Sequence, residues 1–221
     1  MISDEEAKKL GKEVTDQHPL AVYGMAKAST QIGSGYTISS SMVTAVRVDG
    51  CELRVTLCRG DLCEMKQPFY KFSTPLSSTA DLGDRMLEIR AKSCAPNPIW
   101  LITDPLAFLI LVVCSLLAYG TYIGVDNMVD AILRAPRIES VLVGVFGSSR
   151  NFANLVVGSF WFSVVAHAFE ATITVYYAKT ALKLGLLPTS IWAVLVFSVG
   201  YPIFNRFQRL AAIEKGREKS K

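Results

Sequence analysis

The sequence predicts an α+β domain of order α–β–β–β–α with an antiparallel sheet, followed by an all-α transmembrane bundle. The bundle has three helices, or four if the run near 138–150 also crosses. Three observations predict this. The 221 residues are 51% hydrophobic and only 19% charged, with mean hydropathy +0.33, whereas a soluble domain carries about 25% charged residues. The charge is also uneven: residues 1–104 hold 12 Lys/Arg against 13 Asp/Glu, and residues 105–221 hold 11 against 6. The first half contains β-rich runs around an Asp-Gly pair, and the second contains long uncharged stretches. These features exclude a disordered chain, a collagen, a small disulfide scaffold and a strongly basic nucleic-acid binder. The organisation reads as a soluble domain over 1–94, a Pro-rich linker over 95–104, the bundle over 105–207 and a basic tail over 208–221.

Ser3-x-x-Glu6 is a capping box before a polar helix that runs in two pieces to Thr30, broken before Pro19. Gly33-Ser34-Gly35 is a turn. Tyr36–Val48 and Cys51–Cys58 read as strands joined around Asp49-Gly50, a strong hairpin signal. Arg59-Gly60-Asp61 turns into a third strand over Leu62–Phe69. Thr79 caps a last helix to about Ser93, with Leu82, Met86 and Ile89, and in some registers Leu87, on its apolar side. About ninety residues can bury a modest core. Ala95-Pro96-Asn97-Pro98 is a stiff linker.

Pro105–Val125 is 21 residues without a charge, bracketed by Asp104 and Asp126. A bilayer core needs about 20 apolar residues, so this stretch can span. Met1–Glu13 is charged rather than apolar, which argues against a cleavable signal peptide. Phe152–Ala178 is 27 residues interrupted only by His167 and Glu170, long enough to span with tilt. Leu186–Phe204 is the third candidate, with Pro188 at its start and Pro202 expected to bend or finish it. Ser140–Gly147 is too short to cross alone and reads as interfacial or re-entrant, unless it joins the residues after it as a fourth pass.

Tyr119, Tyr122, Tyr176, Tyr177, Trp192 and Tyr201 lie toward span ends, as interface anchors do; Trp161 fits this less well. The tail Arg206–Lys221 has six Lys/Arg against two Glu, which makes it cytosolic by the positive-inside rule. With three spans the N-terminal domain is then luminal; a fourth pass returns both ends to the cytosol, the arrangement favoured here. The ending Arg217–Lys221 loosely resembles a dibasic retrieval signal of the endoplasmic reticulum.

The polar stripe of the second span is the main functional clue. Ser159, Ser163, His167, Glu170 and Thr174 are spaced 4, 4, 3 and 4, one face of a helix. A carboxylate at mid-bilayer costs about 2.5–3.5 kcal/mol on insertion scales, so the stripe must face protein or water. His167 and Glu170 are i,i+3 neighbours that can pair and share a proton. Ser115, Tyr119, Tyr122 and Asp126 on the first span, and Ser198, Tyr201 and Asn205 on the third, form further stripes that could converge on one cavity. Three readings stand side by side. The stripe is interhelical hydrogen-bond glue, a cavity for a lipid, sterol or haem-like ligand, or an embedded acid/base pair acting on an apolar substrate as an isomerase does. Ligand contacts would come from His167, Glu170, Ser163, Ser159, Tyr119, Tyr122 and Tyr201.

Asp16-Gln17-His18, Ala21-Val22-Tyr23-Gly24, Val46–Val55 with its Asp49-Gly50 hairpin, and Pro68-Phe69 fit one pattern. Residues 4–93 resemble the small domain of unknown function at the C-terminal end of haem-utilisation and pyridoxamine-oxidase-like split-barrel proteins. The split barrel that carries flavin or helps to hold haem in those proteins is missing from the pattern here, so haem binding does not transfer with the domain. His18 is the one matching position that could ligate a metal; the plainer role is to cap or pack its helix. No cofactor is expected, and the partners are membrane lipids and a protein docked through this domain. Gly158–Phe162, His167-Ala168-Phe169-Glu170, the Lys/Gly loop with Gly185, Trp192 and the basic end resemble the transmembrane protein 254 family over 105–215. That resemblance implies the span count and makes His167 and Glu170 characteristic, without supplying a substrate.

Other signals are weak. The five cysteines (Cys51, Cys58, Cys63, Cys94, Cys114) form no Cys-x-x-Cys, so free thiols are the default; a luminal domain would permit a Cys58–Cys63 bridge across the turn. Arg59-Gly60-Asp61 is better explained by a hairpin turn than as an adhesion tripeptide. No phosphate loop or nucleophile elbow is present.

Overall fold

A computed structural model describes residues 3–33 and 35–219, with side chains described through Gly216. Ser34 of the expected turn and the side chains of the retrieval-like ending lie outside the described residues. The chain is mostly helical, with one small antiparallel sheet. It forms two compact units: Met1–Ala95 with Leu210–Lys221, and Pro96–Arg209.

In the first unit α1 (Asp4–Gln17) and α2 (Pro19–Ser29) meet at His18. The Ser3 hydroxyl accepts from the Glu6 N–H at 3.3 Å, which is the expected cap. Pro19 occupies the first turn of α2, where its missing N–H is harmless. β1 (Thr37–Arg47) pairs antiparallel with β2 (Gly50–Arg59), with Arg47 opposite Gly50, so Val48 and Asp49 form the turn. The expected third strand is broken. β3 (Leu62–Lys66) and β4 (Phe69–Lys71) pair with opposite ends of β2. Pro68 lies in the gap and cannot donate to a ladder, although its carbonyl still accepts from Leu53 N–H at 3.0 Å.

Cys51, Leu53, Val55 and Leu57 alternate along β2 onto one face. With Val43 and Val46 of β1 they meet Val14, Ala21, Val22 and Met25 of the first two helices, and Leu82, Met86 and Ile89 of α3 (Asp81–Ser93). Leu87 is exposed. Thr79 does not cap α3. Instead the Asp81 carboxylate folds back to accept from Ser77 and Ser78 N–H at 3.1 and 3.0 Å. Cys58 and Cys63 face each other across the β2–β3 turn and are disulfide-bonded, which corrects the default of five free thiols. Cys51 and Cys114 are free thiols.

The segment read as a basic tail is helical and belongs to this unit from Leu210 onward. Its Glu214 is buried and pairs with Arg90 of α3 at 3.0 Å.

The second unit contains α4 (Trp100–Thr103), α5 (Pro105–Ile123), α6 (Val125–Leu133), α7 (Pro136–Phe146), α8 (Ser149–Thr180), α9 (Leu186–Val199) and the first half of α10 (Tyr201–Lys219). Asp104 caps α5, accepting from Leu106 and Ala107 N–H at 3.1 and 3.2 Å. α5 and α8 are the two helices long and apolar enough to cross a membrane. Only 11% and 6% of their apolar windows are buried, unlike the core helix of a water-soluble domain. They pack antiparallel: Cys114 Sγ lies 3.7 Å from Ser163 Oγ, and Arg150 pairs with Asp126 at 2.8 Å.

The expected third span over 186–204 is not one helix. α9 is 14 residues long, about 21 Å, and ends at Gly200 (φ 62°, ψ −128°). Beyond it α10 folds back. The rings of Trp192 and Phe207 are 5.3 Å apart although fifteen residues separate them. Trp192 also lies 5.6 Å from Trp100, and Arg206 pairs with Asp104 and covers the Trp100 ring at 5.2 Å.

Candidate functional site

The break at Gly200 is where the polar residues of α8 converge. A cluster of residues (Trp192, Val196, Val199, Ile203 and Phe207) is buried along the two arms of the fold-back. Its turn leaves unsatisfied carbonyls at the end of α9. One is Phe197 O, and His167 Nδ1 lies 3.0 Å from it. A carbonyl oxygen only accepts, so Nδ1 carries the hydrogen and Nε2 is the basic nitrogen of the neutral ring. Nε2 is directed at Gly200. A Cβ built on that glycine would lie 2.5 Å from His167 Nε2, 2.6 Å from its Cδ2 and 2.8 Å from Glu170 Oε2. Glycine is required twice here: by the positive φ, and by the space that the imidazole and carboxylate occupy.

Glu170 Oε2 is buried and has no hydrogen-bond partner. Such an atom is expensive at low dielectric, and it sits within reach of the point that Nε2 approaches. His167 and Glu170 both turn toward the Gly200 break, but Glu170 Oε2 makes no hydrogen bond to His167, so the shared-proton pair expected from their spacing is not formed through that oxygen.

The other members of the stripe have separate roles. The Thr174 hydroxyl, fully buried, donates to Glu170 O at 2.9 Å, its own helix backbone. Ser163 turns to Cys114 of α5. Ser159 lines an open groove of about 540 Å³ with Asn151, Asn154, Leu155, Gly158 and Phe162 on α8. Tyr119, Tyr122 and Tyr201 are 64%, 88% and 62% exposed, so they are not gathered with His167 around an enclosed cavity. Ser115 and Ser198 hydroxyls donate to carbonyls one turn earlier, Leu111 O and Val194 O.

Sequence spacing found His167 and Glu170 but missed Gly200 and Phe197 O. A Gly two residues before Pro202 in an apolar run was the available signal for a break. His18 sits at the α1–α2 junction, its N–H donating to Val14 O at 2.9 Å and its carbonyl accepting from Val22 N–H at 3.1 Å. Among the described residues no group of three or more His, Cys, Asp or Glu could hold a metal ion.

At the N-terminal end of α5, the Arg206 guanidinium, together with the Ala107 and Leu106 N–H groups, holds the Asp104 carboxyl below the usual carboxylate range. In the first unit burial pushes the Cys51 thiol up to about 12 and that of Cys94 up to about 11. No family model matches the chain, and none of the curated proteins compared with it matches.

Proposed function

We propose that this is an integral membrane protein that binds an amphiphilic ligand, its polar head held at the Gly200 break by His167 and Glu170. The observation that carries this reading is the buried, unpartnered Glu170 Oε2 beside the basic nitrogen of His167. Two acceptors without a donor call for a ligand that brings one. In a bilayer that is a hydroxyl or amine on an apolar body, and a sterol is the simplest example. Membrane placement is supported by two long apolar helices whose faces are largely uncovered. The endoplasmic reticulum or a related endomembrane is the proposed site, and the Cys58–Cys63 bridge in the unit that also holds the end of α10 supports an oxidising compartment for that unit. The first unit acts as the docking domain for a protein partner; exposed Leu62, Met65 and Phe69 on its outer strands support that role.

The test uses protein purified in mild detergent and mass spectrometry of its bound lipids. Wild type is expected to retain a specific hydroxylated or amine lipid, and His167→Ala and Glu170→Gln to lose it at least tenfold. Equal lipid profiles in wild type and both folded variants would reduce the pair to interhelical hydrogen-bond glue.

A second reading is favoured by the His167 tautomer. With Nδ1 held by Phe197 O, Nε2 can take a proton from an allylic carbon while Glu170, in its protonated form, gives one to the far end of the double bond; the proton on Nε2 then passes to the Glu170 carboxylate and resets the pair. That shifts a double bond with no co-reactant, an isomerisation. A variant that keeps the lipid but stops converting an unsaturated one would support this reading.

A further inference from the structure

The contacts on either side of Gly200 bear on how many times the chain crosses the membrane. α5 begins at Asp104, and Arg206 of α10 is bonded to that residue. Trp100 of α4, five residues before α5 begins, touches Trp192, midway along α9. Trp192 in turn touches Phe207, seven residues beyond Gly200. A continuous helix would place Trp192 and Phe207 about 22 Å apart along its axis. Both arms of the α9–α10 pair therefore pass the level where α5 starts, and Gly200 is the apex.

The apex lies deep. It meets His167 and Glu170, ten or more residues inside the C-terminal end of α8. Ser163, one turn from His167, is opposite Cys114, the middle of α5. Broken backbone at this depth is tolerated only where protein satisfies it. The His167 bond to Phe197 O and the complete burial of Val196, Val199 and Ile203 meet that condition.

We infer that the chain makes two full crossings and that α9–α10 is a re-entrant hairpin, so that the first unit and the end of the chain share one face of the membrane. The connection over 124–148, with α6 and α7, then lies on the other face. A second observation agrees. Glu214 beyond the hairpin pairs with Arg90 of α3 inside the first unit, and a third complete crossing would put a bilayer between them. With an even number of crossings, both ends reach the same side without a fourth span near 138–150.

The experiment places a short epitope at four positions in the full chain: the N-terminus, after Gly147, after Lys183 and the C-terminus. Each is exposed to protease in sealed membrane vesicles, with and without detergent. The hairpin requires the N-terminal, Lys183 and C-terminal epitopes to share one fate and the Gly147 epitope the opposite fate. Three spans would separate the two ends, and four spans would put the Lys183 epitope opposite both ends; either pattern overturns the inference. Where the Lys183 insertion lowers expression, Lys183→Cys labelled with a membrane-impermeant maleimide reads the same position. The outcome is independent of any bound lipid.

Discussion

Replacing Gly200 with alanine tests the fold-back and the site together. Three effects combine. A residue with a Cβ at φ 62°, ψ −128° carries about 1–3 kcal/mol of backbone strain. The new Cβ would overlap the His167 ring and approach Glu170 Oε2 at 2.8 Å, so the ring must move. Moving it breaks the bond to Phe197 O and leaves a buried carbonyl unsatisfied, about 1–3 kcal/mol more. The expected loss is about 3–5 kcal/mol, or roughly 10 °C in the unfolding midpoint for a chain of this size. Gly158→Ala is the control. Gly158 lies inside α8 with nothing within 4 Å of an added Cβ, so alanine there should stabilise by about 0.5–1 kcal/mol. Thermal unfolding in one detergent, followed by circular dichroism, compares the two. Midpoints within about 2 °C of each other, against the spacing expected from entropy scaling, would mean that residue 200 lies in ordinary helix and that the fold-back is wrong.

Single contacts elsewhere in the molecule carry their own expected outcomes. Asp104 has a folded-state pKa below its unfolded value of about 3.9 because Arg206 and two backbone N–H groups favour its charge. Its stabilisation is complete above that unfolded value and disappears as pH falls through the lower folded one, so Asp104→Asn should flatten the acid side of a stability–pH curve below about pH 4. An unchanged acid limb in that variant would show that the contact is not formed. Glu214→Ala leaves Arg90, itself largely buried, without its carboxylate, at a cost of about 3 kcal/mol; limited proteolysis should then cut after Lys215 far faster than in wild type. The Cys58–Cys63 bridge closes a loop with a sequence separation of 5, so Cys58→Ser should weaken the first unit by about 2 kcal/mol under oxidising conditions and by almost nothing in reductant. Cys51 and Cys94, whose burial raises their thiols to about 12 and about 11, should resist alkylation at mildly alkaline pH until the first unit unfolds; rapid labelling of the native protein would contradict their packing.

Local rules made much of the chain legible. The Ser3 cap, the helix break at Pro19 and the β1–β2 hairpin, which turns at Val48-Asp49 one residue ahead of the expected Asp49-Gly50, depend on residues a few positions apart, so the sequence determined them without help from the rest of the molecule. Helical spacing likewise determined that His167 and Glu170 share a face of α8. Tertiary structure decided the rest. An apolar run from 186 to 204 is equally consistent with crossing or turning back; contacts of Trp192 with Trp100 and Phe207 decide for turning back, and they join residues up to ninety-two positions apart. The same holds for Tyr119 and Tyr122, polar at helical spacing yet exposed, and for a basic C-terminal segment that folds onto the first unit through Glu214. Periodicity reports which side chains share a face; which partner that face meets depends on how distant segments are brought together, and no local pattern encodes that.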